Sequence, residues 1–235
     1  MEDGGQATVA EVVDGDTLRL ADGRDVRLVG LQAPKLPLGR AGFRAWPLAD
    51  ESRAALAELV DGGTLTLRFG GRRADRHGRL LAHLFDPAGR WIQGELLARG
   101  MARVYSFPDN RALVGEMLAL ERAARAARRG IWAHPFYRVL APDEAAGFID
   151  SYQLVEGRAL DAAVVKGRGY LNFGPDRRSD FTVTISPQDL RRFGAEWGAF
   201  ESLEGRRVRV RGWLKSFDGP QIEATHPEQI EVLPE

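Results

Sequence analysis

Short runs of alternating apolar and polar residues dominate the first 105 positions and predict β-strands. Asp22-Gly23, where glycine can adopt a positive φ, predicts a hairpin turn between the second and third runs. The predicted strands are residues 7–13, 17–20, 24–31, 64–69, 80–85 and 101–105. The pattern therefore predicts that a strand meander opens the fold.

Apolar residues at helical spacing predict three helices among these strands, at residues 47–60, 91–99 and 113–129. The last helix places four apolar side chains on one face. It is followed by Gly130, a residue suited to the left-handed conformation that ends many helices. The first part of the chain is therefore expected to combine a sheet with about three helices.

The pattern changes between residues 140 and 152, where proline and acidic residues interrupt the periodicity. A second strand series follows, with a short helical insert around residues 188–200. Its predicted strands are residues 151–165, 169–173, 180–186, 206–217 and 221–232. Five strands with one helix near the middle suit a small Greek-key barrel of the OB type. The predicted domains are residues 1–138 and 151–235, joined by a linker at 139–150.

Composition agrees with two modest domains, because 235 residues with 44% hydrophobic content can bury two cores. The absence of cysteine excludes disulfides and thiolate metal sites. No apolar run is long enough to span a bilayer, so no membrane contact is expected. The acidic start of the sequence differs from a secretory signal, and a cytoplasmic location is the default unless a signal was removed.

The formal net charge of zero conceals an imbalance between the two parts. Residues 1–138 carry 21 Lys and Arg against 17 Asp and Glu, whereas residues 139–235 carry 12 against 16. Only the first part has the sign that a polyanionic partner requires.

The sequence VVDGDTLRLADGRDVRLVGLQAPK, which begins at Val12, is the most informative motif. It resembles the active-site strand pair of the staphylococcal nuclease family, whose pattern reads roughly V-x-D-G-D-T, a hairpin and V-R-L-x-G-I-D-A-P-E. Three residues match the functional positions of that pattern, Asp14, Asp16 and Arg27. Gln32 and Lys35 stand where the family has its second aspartate and its glutamate.

Two further motifs extend the resemblance over residues 7–137. The sequence DRHGRLLA at 75–82 resembles the family loop D-x-x-G-R-x-L-A, and residues 96–132 match its later helices, its A-x-V strand and its G-I-W sequence. The family fold is an OB barrel with helices. The second part resembles OB-type modules through YLNFG at 170–174 and GRRVRVRGWL at 205–214. We therefore expect a mainly β protein with helices, built as two tandem OB-type barrels.

The resemblance implies specific roles. Asp16 corresponds to a calcium-binding carboxylate, Asp14 is a nearby acid, and Gln32 takes the second calcium position. Arg27 and Arg79 take the positions of the catalytic, phosphate-binding arginines, and Lys35 takes that of the base. Phosphodiester cleavage suits such a set, because a cation polarises the phosphate, guanidiniums neutralise its charge and a base accepts a proton.

Each of these roles has an alternative. The two arginines would otherwise form structural ion pairs, and Asp14 and Asp16 would tighten a turn. Gln32 offers calcium an oxygen without charge, and an ammonium at Lys35 repels a dication. Lys35 becomes a base only if burial lowers its pKa by several units.

Basic residues cluster around the loop at 68–79 and predict a phosphate-binding rim. The candidate phosphate-binding residues are Arg27, Arg72, Arg73, Arg76, His77 and Arg79. His77 is also a candidate base near neutral pH, although an exposed loop residue is the commoner outcome.

We therefore expect a nuclease-like protein that engages DNA or RNA phosphates, with calcium-dependent cleavage weakened or lost. The alternatives are an active metal-dependent endonuclease with a rearranged site and a scaffold that binds a protein. Calcium is the expected cofactor if the site is active, and otherwise none is expected.

Arg207, Arg209 and Arg211 alternate with valines in the second part, so their guanidiniums are predicted to share one sheet face. With nearby aromatic residues they would form a surface for single strands. The alternative is that the second domain packs against the first or recruits a protein partner.

Overall fold

The computed structural model describes residues 1–61, 63–176 and 178–234, with the backbone alone at 195–197. It divides into two compact units, Met1–Tyr137 and Arg138–Glu235. Each unit encloses its own cluster of buried apolar side chains. The chain therefore builds two separate cores.

The first unit is a closed five-stranded barrel in which β1 pairs with β2, then β3, β6 and β5, which returns to β1. The β3–β6 pair is parallel and the other pairs are antiparallel. The strands are β1 (Glu2–Asp14), β2 (Thr17–Leu20), β3 (Asp25–Leu28), β4 (Leu31–Gln32), β5 (Thr64–Phe69), β6 (Leu80–Phe85) and β7 (Arg103–Val104). This order confirms the predicted OB-type barrel.

The predicted strand at 24–31 is interrupted between β3 and β4. Gly30 has a φ of 84°, and a Cβ at this position would lie 2.6 Å from the sulfur of Met117, so only glycine suits the bend. Beyond the bend, β4 leaves the barrel and pairs with β7, with Gln32 opposite Arg103.

The three predicted helices of the first unit are confirmed as α1 (Ala49–Val60), α2 (Ile92–Ala98) and α3 (Val114–Ala126). Each buries apolar side chains against the barrel core. Short 3-10 helices follow at Gly130–Ala133 and Pro135–Tyr137. Among the described residues, no helix is both long enough and apolar enough to cross a membrane.

In the part of the second unit that the structure describes there are seven strands and one α-helix, α4 (Pro187–Trp197). Short 3-10 helices lie at Pro142–Phe148, Phe200–Leu203 and Pro227–Gln229. The strands are β8 (Ser151–Arg158), β9 (Asp161–Val165), β10 (Arg168–Asn172), β11 (Thr182–Ile185), β12 (Arg207–Ser216), β13 (Pro220–Ala224) and β14 (Ile230–Val232).

The strand pairings of the second unit follow the same order as the first barrel. β9 pairs with β10, β10 with β11, β11 with β13 in parallel, β13 with β12, and β12 with β8. Only Ala159 and Leu160 separate β8 from β9, so two consecutive segments of the chain pair with β12 and with β10. The helix α4 precedes the fourth barrel strand, as α1 does in the first unit. This arrangement agrees with an OB-type second barrel.

The segment predicted as a linker, residues 139–150, belongs to the second unit. Leu140 and Ala145 lie in its apolar core, and the backbone of Leu140 is hydrogen-bonded to both Leu154 and Glu156 of β8. The proline and acidic residues that suggested a linker form a 3-10 helix over this core instead.

Replacing His83 with Phe should flatten the acid dependence of stability. His83 is buried on β6, and burial lowers its pKa from 6.5 to about 4, although a hydrogen bond to the Ala112 backbone opposes the shift. Between those values the unfolded chain binds a proton that the folded chain does not, so the parent loses stability as the pH falls. In urea unfolding, His83→Phe should gain about 2–3 kcal/mol on the parent between about pH 6.5 and 4.5. Equal pH slopes would contradict the buried neutral imidazole.

Candidate functional site

The candidate site lies where the β1–β2 junction meets the segment after β3. Gly15 makes this approach feasible, because a Cβ there would lie 2.1 Å from Ser52 Oγ of α1 and 2.7 Å from Ala33 Cβ. The flanking residues Asp14 and Asp16 are both buried, and Asp14 accepts the Asp16 backbone N–H at 3.0 Å. The local motif Asp-Gly-Asp therefore places two carboxylates inside a crowded junction.

The carboxylate of Asp16 has no solvent exposure and is surrounded by donors. Its Oδ2 accepts the Ala33 N–H at 2.7 Å, and its Oδ1 accepts the Thr17 hydroxyl at 3.2 Å. Arg27 of β3 forms an ion pair with the same carboxylate. Asp16 is thus fully engaged by the protein itself.

Lys35 extends into the same junction. Its Nζ lies 2.8 Å from Oδ1 and 2.6 Å from Oδ2 of Asp16, and 3.4 Å from Oδ2 of Asp14. Burial, followed by the charge of Arg27, lowers the pKa of Lys35 to about 7, although Asp14 opposes the shift. The ammonium bridges the two carboxylates that the sequence predicted as metal-binding groups.

Arg27 is held from several sides at once. Besides Asp16, its guanidinium donates to the backbone carbonyls of Asp16 at 3.3 Å and Leu31 at 3.0 Å. Burial lowers its pKa to about 10, so the group remains cationic at neutral pH. Both readings of Arg27 from the sequence are therefore compatible with its position, because it forms a structural ion pair and also lines the cavity.

Arg79 lies across the cavity and is paired with Asp75 of its own loop. The Arg79 Nε donates to Asp75 Oδ2 at 2.7 Å, and one third of the Arg79 side chain is exposed. Partial burial raises the pKa of Asp75, but the hydrogen bonds from Arg79 and His77 lower it more, and the net shift is downward. Asp75 is therefore an anion that orients the guanidinium of Arg79.

Gln32 directs its side-chain oxygen toward Arg103. Its Oε1 accepts two hydrogen bonds from the buried guanidinium of Arg103, at 2.9 and 2.7 Å. Arg103 was missed in the sequence, where the only signal was an arginine inside an otherwise apolar strand. The pair follows directly from the β4–β7 pairing.

A cavity of about 660 Å³ opens above these groups. Six cationic side chains and three carboxylates line it among the described residues. The cations are Arg27, Lys35, Arg40, Arg72, Arg76 and Arg79, and His77 also lines the cavity. Exposed Leu38 and Phe107 add an apolar wall that the sequence did not predict. Asp16 does not itself line the cavity but contacts two residues that do, Arg27 and Lys35. The predicted residues of the first domain thus converge on one cleft, with one exception.

The exception is Arg73, which does not line the cavity. Its guanidinium forms an ion pair with Glu2 and lies 5.0 Å from the centroid of the Phe69 ring. Neighbouring Arg72 faces the cavity, where it lies 3.9 Å from Asp109. Arg73 is therefore not part of the cavity lining, because adjacent side chains of this loop point to different sides.

The predicted arginine stripe of the second unit is not a free cationic surface. Arg207 and Arg209 both bind the carboxylate of Glu156 on β8, and Arg211 is fully buried and donates to Glu231 at 2.6 Å. The alternation was read correctly, but the facing strands supply acids that neutralise the stripe.

A sequence model described as staphylococcal nuclease homologue matches residues 25–134. An uncharacterised endonuclease of Escherichia coli O157:H7 is 30% identical over 128 residues, which span 53% of this chain and 75% of that relative. The chain belongs to the staphylococcal nuclease family. Protein ParB of Escherichia coli is 31% identical over 138 residues, covering 54% of this chain and 72% of the relative.

A further member named as a probable staphylococcal-like nuclease, from Oryza sativa subsp. japonica, is 32% identical over 108 residues. That match covers 46% of this chain and 26% of the relative. The staphylococcal nuclease match at 25–134 includes Arg27, Gln32, Lys35 and Arg79, and it lies entirely within the first unit.

Replacing Arg103 with Ala should destabilise the chain by about 2–4 kcal/mol, because the buried oxygen of Gln32 would lose both donors. Urea unfolding measures the change. The matched control is Arg44→Ala, which removes an exposed arginine of the same unit and should change stability by less than about 0.5 kcal/mol. Equal midpoints for the two variants would contradict a structural role for the Gln32–Arg103 pair.

Proposed function

We propose that the cleft of the first unit binds the phosphodiester backbone of nucleic acid, and that calcium-dependent cleavage there is weak or lost. One observation carries the proposal. The Lys35 ammonium lies 2.6 and 2.8 Å from the two carboxylate oxygens of Asp16. An ammonium so close occupies the oxygens that a dication would need, and it repels that dication.

The other oxygen donors of the cleft also argue against calcium, which takes about six to eight oxygens at about 2.3–2.6 Å. The oxygen of Gln32 is engaged by Arg103, and Asp14 accepts a backbone N–H. Within the described residues, no three His, Cys, Asp or Glu side chains are arranged to hold a metal ion. These oxygen donors do not fit calcium, so phosphate binding is assigned to the cationic side chains of the protein.

The phosphate contacts are assigned to the cations that remain exposed. Arg27 and Lys35 balance Asp14 and Asp16, so the centre of the cleft contributes little net charge. Arg72, with 57% of its side chain exposed, and Arg79, with 33%, are paired to single carboxylates at the edge. A guanidinium can grip two phosphate oxygens at once, and an exposed ion pair exchanges partners at little cost.

A second candidate is an active phosphodiesterase in which neutral Lys35 accepts a proton. Two observations favour it, namely the pKa of about 7 for Lys35 and the name endonuclease carried by a relative. It ranks second because the two contacts to the Asp16 carboxylate favour the cationic form of Lys35 over the neutral form that a base requires. Cleavage of end-labelled single strands in the presence of calcium, magnesium or manganese, absent in Arg79→Ala, would favour this candidate.

Single-stranded DNA and RNA should bind the protein in EDTA, with an affinity that falls as salt rises. Fluorescence anisotropy of labelled strands of about 12 nucleotides, between about 50 and 200 mM salt, measures this. Arg72→Ala should weaken binding and reduce the slope of log affinity against log salt by about 0.7, the value for one phosphate contact on a single strand.

The matched control for that experiment is Arg73→Ala, which removes the adjacent arginine that does not line the cavity. It should leave affinity and salt slope unchanged. Equal losses in the two variants would contradict the assigned cleft. No binding by the parent would instead favour a scaffold role.

Calcium should not stabilise the parent against heat, whereas Lys35→Glu should gain a calcium-dependent rise in its melting midpoint. The substitution replaces the ammonium with a third carboxylate beside Asp14 and Asp16. At about 5 mM calcium we expect a rise of about 2–4 °C, measured by thermal unfolding. Lys35→Gln, which removes the cation without adding a charge, is the control and should not respond. An equal rise in the parent would contradict the proposal.

A further inference from the structure

A second groove, of about 680 Å³, lies on the outer face of the second barrel. Two rows of residues that are cross-strand neighbours run across the sheet there. In three of the strands the residue between the two rows, Leu171, Val183 or Ile222, belongs to the core. The first row is Tyr170, Thr184 and Glu223, and the second is Asn172, Thr182, Gln221 and Lys215. Because side chains alternate along a strand, both rows face away from the core and into the groove.

The floor of the groove is polar although it is largely shielded from solvent. Asn172, Thr182 and Thr184 are 3%, 8% and 3% exposed. Asn172 donates to Asp161 at 2.8 Å, and the Thr182 hydroxyl donates to Asn172 at 3.2 Å. Amide and hydroxyl groups held in this way can form hydrogen bonds with the edges of nucleobases.

An aromatic side chain stands at one end of the groove. Phe217, at the turn between β12 and β13, is 73% exposed, and its backbone N–H donates to Gly219 at 2.9 Å. The turn is therefore closed while its largest side chain remains in solvent and outside the core. Tyr170 adds a second ring to the lining. Exposed rings of this kind provide stacking surfaces for bases.

The rim of the groove carries more positive than negative side chains. Arg168, Arg178 and Lys215 line it against Asp218 and Glu223. Arg168 lies 3.7 Å from Glu223, whereas Lys215 forms no ion pair with any residue in the described ranges. This groove thus differs from the neutralised arginine stripe at the other end of β12.

We propose that this groove is a second binding site, specific for a short segment of single-stranded nucleic acid. Bases would stack on Phe217, their edges would face the polar floor, and phosphates would contact Lys215 and Arg168. Because residues 139–235 carry an excess of acids, long-range attraction is weak and stacking supplies most of the affinity. The site is independent of the cleft in the first unit.

The test uses the full chain in EDTA with labelled oligothymidylate and oligouridylate of about 12 nucleotides. Phe217→Ala should weaken binding about fivefold or more with little change in salt slope, and Lys215→Ala should reduce that slope. Leu160→Ala, which removes a similarly exposed apolar side chain outside the groove, is the control and should bind like the parent. Strands carrying 5-bromouracil should crosslink to the peptide that contains Phe217.

The proposal is overturned if Phe217→Ala binds like Leu160→Ala and no crosslink maps to the second unit. Selective binding of an uncharged oligosaccharide, lost in Phe217→Ala, with no binding of either strand, would overturn it as well. Arg72→Ala separates this site from the first cleft. If only the first-unit proposal fails, Arg72→Ala should bind the strands like the parent, and Phe217→Ala should still weaken binding.

Discussion

The first unit is organised around one carboxylate, that of Asp16, which has no contact with solvent. A buried charge without partners costs several kcal/mol, so the surrounding chain must supply cations and donors. Arg27 from β3, Lys35 from the segment after β4 and the backbone of Ala33 all do so. These contacts set how closely the strand junction, β3 and the following segment approach one another. The stability of the barrel and the geometry of the cleft therefore depend on the same group.

This constraint accounts for how the structure accommodates the two residues that depart from the family pattern. In the staphylococcal nuclease pattern the position of Lys35 carries a glutamate, and a carboxylate there would add to the charge of Asp16. An ammonium instead neutralises it and satisfies its oxygens. Gln32, at the other changed position, is satisfied by Arg103. At both departures from the family pattern the side chain is thus bonded to another group of the protein, which is the basis for proposing binding without calcium.

The two barrels share one strand order but differ in the availability of their charges. In the first unit, the loop before β6 places Arg72, Arg76 and Arg79 around an open cavity. In the second unit, the arginines of β12 face acids on β8 and β14. Strand order therefore does not decide which cations are available to a ligand. The residues on the neighbouring strands decide it.

Much of the fold could be predicted because strand and helix periods are local properties. The three helices of the first unit, its OB-type barrel and the helix before the fourth predicted strand of the second unit followed from such patterns and from the resemblance. The bend at Gly30 was missed because its cause is Met117, a residue distant in sequence. The segment around Leu140 was taken as a linker because its packing against β8 leaves no periodic signal.

The same division applies to the functional residues. The sequence by itself determined which chemical groups are present at the family positions, including the loss of two acids at Gln32 and Lys35 and the retention of Arg27 and Arg79. Only the tertiary structure decided which of those groups faces the cleft and which is engaged by another residue. It turned Arg73 away from the cleft, buried Arg211, joined Gln32 to Arg103 and brought Lys35 onto Asp16. Residue identity is local information, whereas an ion pair or a hydrogen bond depends on a partner that the folded chain brings from elsewhere.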